Sequence, residues 1–239
     1  MRLNSRRALM LAAGVSLSVC VGTAVWRQVR ASRDLVAWFT EPASRARLIT
    51  DTGLTPCPGA LFILPTTGFV GLLWDDVRPP YNRIRRHSGL DIFGNGEPGQ
   101  VPVYAAYDGL LTRLPGWKSA VVIRHPHDPL SPSRQIWTYY AHMADEAGNS
   151  YIVDAFPPGV MDVPVAQGTL LGYQGLYNGG TGPIGLHLHF SIVRDDGHGR
   201  FLNETDVRNT LDPSPYLGMR LNHACADEVP ACTAHASCQ

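Results

Sequence analysis

From Leu186 to Ile192 apolar and polar residues alternate without a break. Leu186, Leu188, Phe190 and Ile192 take one parity, and His187, His189 and Ser191 take the other. Period two is the signature of a half-buried strand, because successive side chains point to opposite faces of a sheet. A helix would put the two histidines about 200° apart, on nearly opposite sides. This string therefore fixes a strand with an apolar face turned to a core and two imidazoles on the other face.

The surroundings point the same way. Short β-prone runs recur at Ala60–Leu64, Val101–Ala105, Ala120–Arg124, Gln135–His142, Thr169–Tyr173 and Leu186–Val193. Gly, Pro, Asn or Asp separates most of them, as in an antiparallel all-β domain. The 239 residues include 24 Gly and 19 Pro, a turn-rich composition that argues against a helical bundle. No useful helical period appears between Leu54 and Gly218, and there is no internal repeat. With 44% hydrophobic residues the chain can bury a core. Its 20 basic and 20 acidic residues cancel, so no charge excess draws it to nucleic acid or acidic lipid. The expected fold class is mainly β, with antiparallel sheets in a barrel-sandwich-like domain behind an N-terminal apolar helix.

Four segments are expected. Residues 1–30 read as a signal peptide or membrane anchor: Arg2, Arg6 and Arg7 precede a charge-free run over residues 8–26, long enough to cross a bilayer. Arginines flank both ends, so charge asymmetry does not separate anchor from cleaved signal. Either reading implies export, to the periplasm or cell envelope. Residues 31–55 read as a short helix, a break at Pro42 and a polar connector. Residues 56–220 form the main domain, with 144–164 as a long surface loop, and 221–239 form a small cysteine-containing tail. In an oxidising compartment Cys57, Cys225, Cys232 and Cys238 can form two disulfides in three possible ways. One of these ties Cys57 to the C-terminal tail. A metal knot of Cys225, Cys232, His235 and Cys238 is the rival, but it lacks a CxxC knuckle.

Three strings carry chemistry. His87 and Asp91 lie four apart and share a side if the chain between them is extended, offering an imidazole and a carboxylate to one zinc ion. His187 and His189 share a strand face, where protonating both together is costly. His142 follows Tyr140 at a strand end, on the same parity. Each string alone suits a solvated strand or turn. Together they supply the three protein ligands of a catalytic zinc, with two imidazoles left for proton transfer. His125, His127, His198, His223 and His235 read as turn, strand-end or surface residues. Asp75 and Asp76 have no assignable role.

The order HxxxD (His87 to Asp91), then Tyr140-Ala141-His142, then His187-Leu188-His189-Phe190 resembles the M23 peptidases, the lysostaphin/LytM-like zinc endopeptidases of bacterial cell walls. Further landmarks are Pro102–Ala106, Asp108-Gly109, Val121–His125, Gly168–Leu171 and Asp212–Leu217, so the resemblance spans roughly residues 61–217. It implies an antiparallel β fold with a groove between loops. It also implies one Zn2+ per chain held by His87, Asp91 and His189, and His142 and His187 as the non-ligand catalytic histidines. The implied activity is hydrolysis of peptide bonds in peptidoglycan cross-bridges or stem peptides, with a peptidoglycan peptide as partner, no nucleic acid, and possible anchoring through residues 8–26. Two positions depart from the pattern: Ser191 replaces an acidic residue, and Gly180–Leu186 lacks a Ser or Thr just before HxH. A non-catalytic wall-binding or regulatory module is the alternative. The full set of ligands and auxiliary histidines favours an enzyme. No HExxH glutamate is present to act as a base, which leaves that task to the imidazoles.

Overall fold

The computed structural model describes residues 32–227 and 229–237. The expected N-terminal apolar helix and Cys238 lie outside these residues. No helix among the described residues is long and apolar enough to cross a membrane.

Among the described residues ten short strands carry the fold: β1 (Phe69–Leu72), β2 (Leu90–Phe93), β3 (Pro102–Tyr104), β4 (Gly109–Thr112), β5 (Val121–His125), β6 (Ile136–Ala141), β7 (Val163–Val165), β8 (Leu170–Tyr173), β9 (His187–Arg194) and β10 (Thr210–Leu211). One sheet runs in the order β1-β2-β9-β6-β5-β4-β7, with β10 pairing β9, and β3 pairs β8 separately. Every pairing between these strands is antiparallel. The mainly β, antiparallel architecture expected from the alternation is thus present.

β9 is the longest of these strands and lies inside the sheet, between β2 and β6. Its alternation sorts the two faces. Leu188, Phe190 and Ile192 are fully buried in the main core with Leu90, Ile92, Val121, Ile123 and Tyr140. Each such aliphatic or aromatic side chain contributes about 1.5–3 kcal/mol on burial. The opposite face carries His187, His189, Ser191 and Val193, and two smaller apolar clusters flank the histidines. Trp38, Leu48, Phe69 and Phe93 form one. Val122, Trp137 and Val193 form the other, with Phe201 and Leu202 laid over them.

Several expectations are corrected. Residues 60–64 form no strand; Phe62 and Ile63 instead bond across the core, to the carbonyls of Tyr216 and Ala106. The supposed surface loop 144–164 is tied back, because the Tyr151 N–H donates to the Met143 carbonyl and Phe156 is buried. Pro42 does not simply end the helix over residues 32–40: it opens a 3-10 helix, Pro42–Arg47. The connector after it is anchored too, since Leu48 is fully buried and Thr50 bridges Gly68. Cys57 and Cys232 form a disulfide, tying the start of the main domain to the tail. Cys225 is disulfide-bonded as well, so the metal-knot reading fails.

Candidate metal centre

The centre is built by strand register. Asp91 on β2 pairs directly with His189 on β9, and Phe93 pairs with His187. Opposed residues in an antiparallel ladder face the same side, with Cβ atoms about 5 Å apart. Ala141 on β6 stands opposite His189 from the other flank, and its small side chain leaves room above the strand. His87 enters from the segment just before β2. Gly89 allows that approach: a Cβ there would lie 2.3 Å from the Phe190 carbonyl oxygen and 3.0 Å from His189 Cε1.

Three groups converge. His87 Nε2 lies 3.0 Å and His189 Nδ1 2.9 Å from Asp91 Oδ1, and the two nitrogens are 3.1 Å apart. These three ligand atoms are the group among the described residues able to hold one ion. Zinc ligands about 2 Å from the metal in a tetrahedron sit roughly 3.3 Å apart, so these donors need to open by only a few tenths of an ångström. Two imidazoles and one carboxylate suit zinc in hardness and charge.

The other ring nitrogens fix the tautomers, since a carbonyl oxygen can only accept. His87 Nδ1–H donates to the Leu73 carbonyl at 2.9 Å, which leaves Nε2 as the lone-pair donor. The ring is also stacked on Tyr81 at 4.6 Å. His187 Nδ1–H donates to the Gly185 carbonyl at 2.7 Å, leaving Nε2 basic and 3.6 Å from Asp91 Oδ1. His142 Nδ1–H donates to the Tyr177 carbonyl at 2.8 Å, again leaving Nε2 free. The His142 and His187 rings lie 4.6 Å apart, and His142 is 6.2 Å from the His189 ring.

Parity did not place His142. Strand β6 ends at Ala141, and His142 takes a left-handed backbone with φ 73°. Such a conformation is uncommon for a residue with a Cβ and clusters at functional sites. Tyr140 meanwhile points into the core, where its hydroxyl accepts from the Ala106 N–H. The two residues do not share a face.

Burial and charge divide the imidazoles. Burial, with the charges of His187 and His189, pushes His142 down to about 3. Burial also lowers His187, against the pull of Asp91. Both are therefore neutral at pH 7. His189 is raised: burial opposes its charge, but the hydrogen bond and charge of Asp91 win. Asp91 is held well below the usual carboxylate range, because the charges and hydrogen bonds of His87, His187 and His189 outweigh its burial.

Sequence reasoning missed the supporting groups. Tyr81 and the Gly185 and Tyr177 carbonyls come from loops with no periodic signal. His125 and Asp76 prove structural. His125 is buried between Asp108 and Thr138, and Asp76 pairs with Arg78 within the core.

Comparison with solved structures returns M23 peptidases. One, a putative glycyl-glycine endopeptidase lytM from Ruminococcus gnavus, is 27% identical, with 57% of this chain matched to 48% of that one at a TM-score of 0.37. The catalytic domain of EnpA, a prophage-encoded M23 protein from Enterococcus faecalis, is 21% identical, with 64% of this chain matched to 95% of that one at 0.35. Csd3 from Helicobacter pylori is 19% identical, with 66% of this chain matched at 0.41, and the match spans about a third of Csd3 (33%). With TM-scores this low the likenesses carry no argument about chemistry; the side chains described above do. No family model and no curated protein matches the chain.

Proposed function

We propose that the chain is an exported zinc metalloendopeptidase acting on peptide bonds of peptidoglycan cross-bridges or stem peptides. The observation that carries this reading is the convergence of His87 Nε2, Asp91 Oδ1 and His189 Nδ1 within 4.8 Å of one another, beside two neutral imidazoles that hold no metal position. His87, Asp91 and His189 would hold one Zn2+. When bound, the ion supplies a Lewis acid for the scissile carbonyl and an acidified water as nucleophile.

The remaining work falls to this chain's own groups. The Gly185 and Tyr177 carbonyls hold His187 and His142 in the Nδ1–H tautomer, so both Nε2 lone pairs are available to protons. One of the pair accepts the proton of the attacking water. The other, once protonated, donates to the oxyanion or to the leaving amine. Both imidazoles are neutral at pH 7, so each Nε2 carries a lone pair rather than a proton. Asp91 supplies the single negative charge of the cluster. The substrate class, the export and the possible anchoring through residues 8–26 rest on the sequence resemblance and the cationic, apolar N-terminal segment.

Metal analysis of the purified protein, paired with digestion of defined peptidoglycan fragments, tests the reading. One zinc per chain and new amino termini in the fragments are expected. Zinc-loaded protein that releases no amino terminus from any wall type would favour a binding module instead.

A further inference from the structure

The Gly185 carbonyl has a task that its own loop does not secure. It accepts from His187 Nδ1–H at 2.7 Å and so sets the tautomer and the aim of that ring. Residues 178–183, just before it, are all exposed. The Asn178 and Thr181 side chains bond each other, and the Ile184 N–H donates to the Leu176 carbonyl at 3.3 Å. These ties close the loop on itself and leave Gly185 without a side chain to anchor it.

A ring from a distant part of the chain stands where that side chain would be. A Cβ on Gly185 would lie 2.8 Å from Phe39 Cε1 and 2.9 Å from Phe39 Cζ, so the ring rests directly on the glycine backbone. The same ring meets Phe93 edge-on, with centroids 5.3 Å apart. Phe93 stands opposite His187 in the ladder between β2 and β9, and their rings are 5.1 Å apart. Phe39 therefore reaches His187 by two routes, through the carbonyl at 185 and through the ring at 93.

Phe39 is itself held from behind. It lies on the helix over residues 32–40, next to Trp38, which is buried and stacks on Phe69 at 5.4 Å. Arg45 Nε–H donates to the Trp38 carbonyl at 2.9 Å, and its guanidinium lies 5.3 Å from the centre of the Trp38 ring. Arg47 pairs with Asp34 at 3.0 Å, which ties the 3-10 helix back to the first helix. Phe39 is 49% exposed and belongs to none of the buried clusters, so what its inner edge touches is its contribution.

We infer that Phe39 is a positioning residue for His187. Its ring braces the Gly185 backbone, which keeps the carbonyl on Nδ1–H and Nε2 turned to the metal centre. This rests on the reading of His187 as a proton-transfer group. Phe39 touches neither metal nor substrate in this role; it acts through Gly185 and Phe93. Residues 32–48 lie outside the stretch that resembles the M23 peptidases, and through Phe39 they become part of the site rather than a linker to it.

Full-chain wild type, Phe39→Ala, Gly185→Ala and the double variant are compared in three ways. Turnover on wall fragments and zinc content are measured, and the His187 Nδ1–H signal is followed by NMR in the metal-free proteins, assigned by its loss in His187→Gln. Phe39→Ala is expected to lower kcat about tenfold with KM and zinc content unchanged. It should also shift or broaden away the His187 signal, while the metal-free melting temperature falls by no more than about 4 °C. Gly185→Ala pushes the ring aside and should match Phe39→Ala, and the double variant should be no worse than either single, because both act through one contact. An unmoved His187 signal in Phe39→Ala would overturn the inference. So would single losses that simply add, or a change confined to KM, which would make Phe39 a substrate contact. If the wild type cleaves no wall fragment, the peptidase reading falls, and the His187 signal alone still decides whether Phe39 braces that ring.

Discussion

Acidification should weaken the fold through His125, a histidine outside the metal centre. Its side chain is 1% exposed. Nδ1–H donates to the Asp108 carbonyl at 2.8 Å, and Nε2 accepts from the Thr138 hydroxyl at 2.9 Å, so the ring is bonded as the neutral form. Burial, only partly offset by the Asp108 carbonyl and by the charges of Asp128 and Asp108, brings its pKa down to about 4 from 6.5. Between those values the unfolded chain takes a proton that the folded one refuses, so stability falls as pH falls. With 1.36 kcal/mol per unit, the loss from this one group is about 2 kcal/mol at pH 5 and about 3 kcal/mol at full effect below pH 4. Urea unfolding of chelator-treated protein at pH 7 and pH 5 measures it, with His125→Gln as the reference. The variant starts less stable, but its loss between the two pH values should be smaller than that of the wild type by about 2 kcal/mol. Equal losses in the two proteins, within about 0.5 kcal/mol, would refute the assignment of a buried neutral imidazole.

Three further outcomes are expected. His142→Ala should retain zinc and lose turnover by about 10²- to 10⁴-fold in a wall-fragment assay, since it removes a proton-transfer group and no ligand; full turnover would show that His142 plays no such part. Gly89→Ala forces a Cβ against the Phe190 carbonyl and should cost about 1–3 kcal/mol in urea unfolding while lowering zinc content; a silent substitution would mean that the His87 approach is loose. Replacing Cys57 and Cys232 together by serine frees a loop of 175 residues and should cost about 2–5 kcal/mol, read from unfolding midpoints under non-reducing conditions. An unchanged midpoint there would show that the tail is held by other contacts.

What could be read from the sequence followed from periodicity. β9 was legible because alternation from Leu186 to Ile192 leaves one plausible period and placed His187 and His189 side by side; β6 was legible because its run is rich in β-prone Ile, Trp, Thr and Tyr. β1 and β2 were not, since four buried residues in a row, as in Phe69–Leu72, show no alternation. The Asp91–His189 pairing is a long-range register, fixed by which strands become neighbours, and no local pattern encodes it. His142 illustrates the limit in reverse. Its identity drew attention correctly to the residue, while the parity argument failed because the backbone turns left-handed one position after the strand ends.

On the zinc reading, the ladder between β2 and β9 would also make the ion a gauge of folding accuracy. Were β2 to slip by a single residue, Asp91 would be carried into the apolar interior beside Leu188 and Phe190, and the cradle would be gone. Molecules with that error could not bind zinc through Asp91 and His189. The stoichiometry of metal in a refolded batch would therefore count the correctly aligned fraction, without any need to measure activity.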